Sequence, residues 1–291
     1  MYVLVGMPLF DSINATFTTI STGGMSIKNA NIGAYNSKAI YLVTIIIMII
    51  GSINFSVHYK AIKSKGKSII QDVQFQAIMV LIIISSIGIY LTSHMDPMII
   101  VFQVVSAIST TGANVPSSSV MTLWPGFTLL VIIILMLVGG SSGSTVGSIK
   151  VIRVITFLKG INLTTLNLLS PKGRVINAKI GGKTIGDKEI KESSSYITLF
   201  MLFVAISWLI LLAYGYPPLQ SLFNVVSAQG NNGVWLGSPC YLIPSELKYL
   251  LVGNMWIGRL EIIPVLVLLI AIYESFKRAN KQIHKGLNQK I

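Results

Sequence analysis

The chain has 291 residues, of which 53% are hydrophobic and only 11% are charged, and its formal net charge is +13. A charged fraction so far below the roughly 25% of soluble domains places the chain in a lipid bilayer. A single cysteine, Cys240, excludes an internal disulfide framework, and three scattered histidines argue against a metal site.

The basic residues are clustered along the chain. Most lie in 60–67, between Lys150 and Lys191, or between Lys277 and Lys290. Under the positive-inside rule this distribution predicts three cytoplasmic segments, at 58–72, at 150–194 and in the C-terminal tail. Nucleic-acid binding is the weaker interpretation of the charge, because no basic stretch carries interleaved aromatic residues.

Five stretches are long and apolar enough to cross ~30 Å of hydrocarbon. In chain order they are 38–57, 73–92, 126–149, 195–215 and 247–273. Three shorter apolar runs, at 8–20, 97–108 and 217–228, have the length of re-entrant segments. With the basic loops inside, all three short runs lie on the outer side of the membrane.

The short runs are copies of one pattern, in which a proline is followed 15 or 16 residues later by a glycine. The pairs are Pro8 and Gly24, Pro97 and Gly112, and Pro217 and Gly233. Residues 102–112 are identical to 223–233 at six of eleven positions and to 14–24 at four. This internal repeat predicts a unit of spanning helix, re-entrant helix, polar loop and spanning helix, present two and a half times.

The polar loops after the short helices are candidate ion ligands. Irregular backbone at membrane depth must be buried in protein or line a cavity, and a helix C-terminus carries partial negative charge that favours cations. The loops offer carbonyls and small polar side chains without fixed charge: Ser21, Thr22, Gly23, Gly24, Ser109, Thr110, Thr111, Gly112, Gly230, Asn231, Asn232 and Gly233. The alternative, that Thr and Gly merely end a helix, is weakened by the three matched copies.

Five strings together resemble the Trk/Ktr/HKT superfamily of cation transporters, and specifically its TrkH-like membrane subunits. They are TTISTGGMS (18–26), IIGSINFSVHY (49–59), SAISTTGANV (106–115), LVGGSSGSTVGSIKVIRV (137–154) and WIGRLEIIPVLVLL (256–269). The resemblance implies an all-α membrane fold of repeated units around a pseudo-fourfold pore, with one filter glycine per unit. Gly24, Gly112 and Gly233 then correspond to the second, third and fourth filter glycines.

The resemblance also divides the chain. It implies a second repeat at 1–72, a third at 73–158, a cytoplasmic loop at 159–194, and a fourth repeat with a basic tail at 195–291. The first repeat and the opening helix of the second are expected to be absent, as in an N-terminally truncated chain. A non-conducting fragment or structural subunit is therefore the alternative to a conducting protein.

A glycine-rich stretch at 139–148 and an arginine are the candidate gate. The spacing of Gly139, Gly143 and Gly147 alone is typical of close helix packing. The resemblance instead implies a loop beneath the filter that includes these three glycines and Gly140. Arg259 matches the arginine of the family's fourth unit, which would hold a positive charge in the pore; its alternative is a packing role with Glu261 or with backbone carbonyls.

The stretch RVINAKIGGKTI predicts a β-hairpin with Gly181 and Gly182 as its turn. The resemblance implies that the loop around it docks a cytoplasmic nucleotide-binding regulatory subunit like TrkA or KtrA, and that the chain is a homodimer in the plasma membrane with a cytoplasmic C-terminus. No cofactor and no enzymatic role are expected, since the bilayer segments lack a nucleophile, an acid pair or a metal cluster. The transported ion is expected to be K⁺, with Na⁺ left open.

Overall fold

The fold is an assembly of α-helices with one small hairpin. The computed structural model describes residues 1–170, 178–237 and 242–260, with single positions between 264 and 277. The helices are α1 (Leu9–Ile20), α2 (Lys38–Ser52), α3 (Phe55–Ser64), α4 (Lys67–Ile70), α5 (Val73–Ser93), α6 (Pro97–Ile108), α7 (Ser118–Met121), α8 (Gly126–Val138), α9 (Val151–Leu169), α10 (Asp187–Ala213), α11 (Pro218–Gln229) and α12 (Ser245–Leu260). The strands are β1 (Ala178–Ile180) and β2 (Lys183–Ile185).

The three predicted re-entrant runs are the helices α1, α6 and α11, each 12 residues long. A proline is the N-cap of α1 and the first residue of α6 and of α11, where its missing N–H is no loss to the helix. In α6 the carboxylate of Asp96 also caps the helix by accepting from the amide of Met98 at 2.8 Å. Helices α6 and α11 pack in the interior, where Phe102, Val104, Phe223 and Val225 are fully buried, whereas α1 leaves apolar side chains such as Phe10 and Phe17 exposed.

Two of the predicted spans are broken in the structure. Helix α2 ends at Ser52, and α3 continues at 102° to it. The expectation of one span over 126–149 is wrong, because α8 stops at Val138 and Gly139 takes a left-handed φ of +68° with ψ at −167°. An irregular stretch follows up to Lys150, where α9 begins. Glycine adopts this backbone conformation without steric cost, and a residue in this conformation cannot belong to an α-helix. The helix of 126–138 therefore ends here.

The stretch 159–194, expected as a loop, is helical at both ends. Helix α9 runs on to Leu169, and α10 begins at Asp187 with an Asp and a Glu in its first turn, where they favour a helix N-terminus. The predicted hairpin is confirmed, with Ile180 paired to Lys183 across Gly181 and Gly182, both of positive φ. Residues 171–177 lie outside the described part.

The all-α membrane class is supported by the composition of these helices. Among the described residues, α5, α9 and α10 are long and apolar enough to cross a membrane, and the bent pair α2 and α3 would make a fourth. Of these, α9 was not among the predicted spans, whereas α8 is too short to cross alone. The last predicted span, 247–273, is described continuously only up to Leu260.

Candidate functional site

The three short helices end in the same backbone arrangement. In each, two consecutive backbone amides at the helix end donate hydrogen bonds to helix carbonyls. The first amide donates to the carbonyl three residues before it, and the second donates to the carbonyl five residues before it. The pairs are Thr22 to Thr19 and Gly23 to Thr18, Thr110 to Ala107 and Thr111 to Ser106, and Asn231 to Ala228 and Asn232 to Ser227, all at 2.7 to 3.2 Å. These bonds form the Schellman closure of a helix C-terminus. The sequence repeat is therefore also a repeat of conformation.

Each closure places a residue with a side chain in the left-handed region. The residues are Thr22, Thr110 and Asn231, with φ of +53°, +49° and +56°. Glycine usually occupies this position, and a β-branched residue there costs about 1–2 kcal/mol. Backbone strain of this kind persists only where surrounding contacts fix it, and it is concentrated at functional sites.

The contacts that fix these residues come from their own side chains. The hydroxyl of Thr22 donates to the carbonyl of Thr145 at 2.9 Å, and the hydroxyl of Thr110 accepts from the amide of Gly147 at 3.0 Å. The amide of Asn231 donates to a carbonyl of α12 at 3.0 Å. Two of the three turns are thus tied to the glycine-rich stretch.

Two residues beyond each strained position, the chain is left-handed again at Gly24, Gly112 and Gly233. A Cβ on Gly24 would overlap the carbonyl oxygen of Thr111, and a Cβ on Gly112 would overlap that of Asn232. The loops after α1, α6 and α11 therefore lie side by side in chain order, at separations that only glycine allows. Gly233 meets no atom within 4 Å of its own Cβ position.

The remaining predicted ligands lie in the same three turns. Ser21 and Gly23 are exposed, whereas Ser109 is buried with its hydroxyl 2.8 Å from that of Thr111. Asn232 donates its amide to the carbonyl of Ala107 at 3.0 Å, which joins the last loop to the end of α6.

The glycine-rich stretch lies against the closing turns of all three short helices. Besides its bonds to the first two turns, its Gly147 is packed so closely on the carbonyl of Gly230 that a Cβ would overlap it. The hydroxyl of Ser148 donates to the carbonyl of Met136 and lies 3.4 Å from the carbonyl of Gly230. Gly139 and Gly140 are buried beside Ser148 and Val146, where a Cβ would come within 3.0 Å of each side chain.

Arg259 reaches the same stretch from α12. Its guanidinium donates to the carbonyl of Thr145 at 2.6 Å, the oxygen that also accepts from Thr22. The adjacent Gly258 lets α12 approach α11, since a Cβ there would overlap the carbonyl of Gln229. The predicted arginine thus contacts the predicted glycine-rich stretch at one atom, the carbonyl oxygen of Thr145. Glu261, the alternative partner, lies outside the described residues.

Three further residues fix the glycine-rich stretch and were not predicted. Asn54, between α2 and α3, donates to the carbonyl of Ser142 at 2.6 Å, and the next amide, of Phe55, donates to that of Gly143 at 3.0 Å. Gln74 accepts from the amide of Ser142 at 2.8 Å. Polar side chains at the ends of apolar stretches are the sequence signal that could have found Asn54 and Gln74.

An acidic side chain lies at the start of α1. Asp11 is 8% exposed, accepts from the hydroxyl of Tyr35 at 2.6 Å and lies 4.0 Å from the ammonium of Lys28. Burial, followed by the hydrogen bond and the negative charge of Asp11, raises the pKa of Tyr35 to about 12. The twelve candidate ligands themselves carry no ionisable side chain, so their attraction for a cation comes from oxygen dipoles.

The family model for TrkH, described as a cation transport protein, matches residues 3–95 and 91–281. The chain belongs to the TrkH family. It is 35% identical, over 96% of its length, to an uncharacterized cation transporter of Methanocaldococcus jannaschii, and 32% identical, over 92%, to the Trk system potassium uptake protein TrkH of Halomonas elongata. It covers 57% of the length of each of these relatives.

A solved structure agrees with the family. The fold matches the crystal structure of the potassium transporter TrkH from Vibrio parahaemolyticus with a TM-score of 0.83 and 28% identity, over 92% of this chain and 60% of that one. This TrkH-family chain is accordingly an all-α membrane protein, and the relatives are named as transporters, in agreement with the expectation that it is not an enzyme. The recognition made from five short strings is confirmed.

Proposed function

We propose that this chain forms the larger part of a pathway for monovalent cations, with K⁺ as the transported ion and the loops after α1, α6 and α11 as its selectivity filter. One observation carries the proposal: three loops of one conformation touch in chain order, Gly24 against Thr111 and Gly112 against Asn232. Repeated turns that meet in sequence are what rotation about a common axis produces. Carbonyl oxygens arranged around such an axis can replace the hydration shell of K⁺.

The short helices supply the electrostatics of this pathway. Each has 12 residues and is therefore about 18 Å long, which reaches roughly half-way through a bilayer. Their C-terminal ends, with partial negative charge, converge on the loops. A cation is thereby stabilised inside the membrane without a carboxylate, which would bind it too tightly for release.

The gate in this proposal is the glycine-rich stretch 139–148. It contacts the closing turns of all three short helices, which are the deepest points of the three loops, so it lies where an ion leaving the filter must pass. Its glycines allow its backbone to pack closely against the loops and to change conformation; they are Gly139, Gly140, Gly143 and Gly147. Opening requires the stretch to release the hydroxyls of Thr22 and Thr110.

Arg259 holds this gate closed in two ways. Its hydrogen bond to Thr145 at 2.6 Å is charge-assisted and fixes the stretch. Its side chain is exposed beside the glycine-rich stretch, so its positive charge also repels cations there. The packing role and the gating role of Arg259 are therefore one interaction.

Rubidium uptake tests the proposal. A strain lacking its own potassium uptake would express the chain alone and, in parallel, the chain joined to whatever sequence precedes it in its reading frame. Uptake of ⁸⁶Rb⁺ that exceeds ²²Na⁺ uptake supports K⁺ transport, and the reverse order supports a Na⁺ transporter. Absence of uptake from both forms, with both present in the membrane, would refute transport.

A structural, non-conducting chain is the second candidate. The chain spans 57 to 60% of the lengths of the relatives that it matches. This candidate predicts uptake from the longer form only, together with co-purification of the chain with a conducting partner.

The assembly we propose is a homodimer in the plasma membrane, with the C-terminus in the cytoplasm and a nucleotide-binding regulatory subunit of the TrkA or KtrA type on that face. The basic residues of 58–72 and 150–194 support this orientation. Protease accessibility of an epitope placed after Ile291, in right-side-out and inverted vesicles, would determine it.

A further inference from the structure

Helix α3 leaves the transmembrane direction. It runs at 102° to α2, and the two residues between the helices, Ile53 and Asn54, are extended. The ring of His58 lies 3.0 Å from the carbonyl of Ile50 in the last turn of α2, which also accepts from the amide of Ile53 at 3.3 Å. With α2 taken as a membrane-crossing helix, a helix at 102° to it runs along the plane of the membrane.

One side of α3 is apolar and uncovered in the described structure. Phe55, Tyr59 and Ile62 are 59%, 63% and 83% exposed, and they follow one another at the spacing of a helix face. The other side is half-buried against the protein through Val57 and Ala61.

This apolar side continues the exposed stripe of α2. Leu42, Ile46 and Ile50 are exposed along α2 at every fourth position, and Phe55 follows them directly after the bend. A stripe of this kind on a bilayer helix faces acyl chains. Its continuation on α3 therefore reaches the level at which acyl chains give way to headgroups.

Lysines border this apolar side. Lys60 and Lys63 on α3, and Lys65 and Lys67 just after it, are exposed, and no acidic residue occurs between Lys38 and Gln71. Within the described chain none of the four forms an ion pair, although the ammonium of Lys63 lies 5.0 Å above the ring of Tyr59. An aromatic–apolar face beside unpaired lysines is typical of helices that lie in the membrane interface.

We propose that α3 and the turn after it form a binding surface for anionic phospholipid headgroups. The lysines bind the phosphates, while Phe55, Tyr59 and Ile62 insert among the upper acyl carbons. Charge complementarity and the continuity with the lipid-facing stripe of α2 favour a lipid over a protein partner. Because the amide of Phe55 donates to the carbonyl of Gly143, headgroup binding has a direct route to the glycine-rich stretch; this consequence rests on the proposed function, whereas the binding itself does not.

Insertion is measured at Ile62. Cys240 is the only cysteine, so an Ile62→Cys, Cys240→Ser chain has one thiol for an environment-sensitive fluorophore. In phosphatidylglycerol vesicles we expect a blue-shifted emission that lipids brominated near the headgroup quench more than lipids brominated near the chain end. A water-like emission that shifts only when a cytoplasmic protein is added would overturn the proposal and identify a protein-docking surface.

Charge is tested separately, by the preference of the purified chain for phosphatidylglycerol over phosphatidylcholine in mixed nanodiscs. Changing Lys60, Lys63, Lys65 and Lys67 to Gln should weaken that preference roughly tenfold or more. The matched control removes four exposed lysines elsewhere, at Lys179, Lys183, Lys188 and Lys191. An equal loss in both variants would overturn the assignment to α3, since it would reflect total charge only. Neither readout requires ion flux, so failure of transport leaves both results interpretable.

Discussion

The substitution Gly112→Ala tests whether close contact between the loops is required for transport. Gly112 has φ of +71°, so alanine there costs about 1–2 kcal/mol of backbone strain. Its Cβ would also overlap the carbonyl oxygen of Asn232. The Cβ would lie 1.6 Å from that oxygen, so the oxygen would have to move by roughly 1.7 Å to reach the ~3.3 Å that separates non-bonded carbon and oxygen atoms. In the proposed filter, an oxygen displaced so far would no longer coordinate K⁺.

Gly215→Ala is the matched control, because Gly215 has φ of +83° and a Cβ there meets nothing within 4 Å. Both variants carry the same backbone strain, and Gly112→Ala should lower the melting temperature of the purified protein further, since only its Cβ overlaps the carbonyl of Asn232. Rubidium uptake should fall at least about tenfold for Gly112→Ala, as expected for a displaced ligand of this kind, and remain near wild type for Gly215→Ala. Equal uptake by the two variants, at matched amounts in the membrane, would refute the reasoning.

Three further predictions concern the contacts around the loops. Arg259→Ala should raise rubidium flux several-fold, because it removes the positive charge and the bond to Thr145. The control Lys248→Ala should leave the flux unchanged. An unchanged or lower flux in Arg259→Ala would contradict the gating role. Thr110→Val should destabilise the protein by about 1–3 kcal/mol, since a buried amide loses its acceptor, and thermal unfolding should recover in Thr110→Ser. In a titration followed by tyrosinate absorbance, Tyr35→Phe should remove the tyrosine that ionises near pH 12. Because the pKa of Tyr35 is higher in the folded protein than in the unfolded chain, its contribution to the free energy of unfolding is complete below pH 10 and is lost as the pH rises toward 12.

The sequence predicted the short helices well because several local signals agree there. A proline fixes each start, and the repeat aligns each end. The loops were placed correctly for the same reason, and their twelve residues fall at the three helix ends. Their role as ion ligands stays a prediction.

The breaks in the spanning helices were harder to predict. Hydropathy of 126–149 is continuous, so the end of α8 at Gly139 could not be located from apolar character alone. Helix α9 was missed because polar residues such as Asn162 and Thr164 lower its hydropathy without ending a helix. The bonds between distant segments, such as Asn54 to Ser142, depend on the tertiary fold and have no local signature.

The oxygen shared by Thr22 and Arg259 belongs to the main chain of Thr145 and not to its side chain. Any amino acid at position 145 that keeps the local backbone retains this acceptor. Because the hydroxyl of Thr145 itself donates to the carbonyl of Gly51 at 3.2 Å, a side-chain substitution tests that bond and not the shared oxygen. An ester in place of the peptide bond between 145 and 146 weakens this carbonyl acceptor and also removes the N–H of Val146, which donates to the hydroxyl of Ser144 at 3.4 Å. A Ser144→Ala variant is therefore the control for the lost N–H, and any further effect of the ester belongs to the shared oxygen.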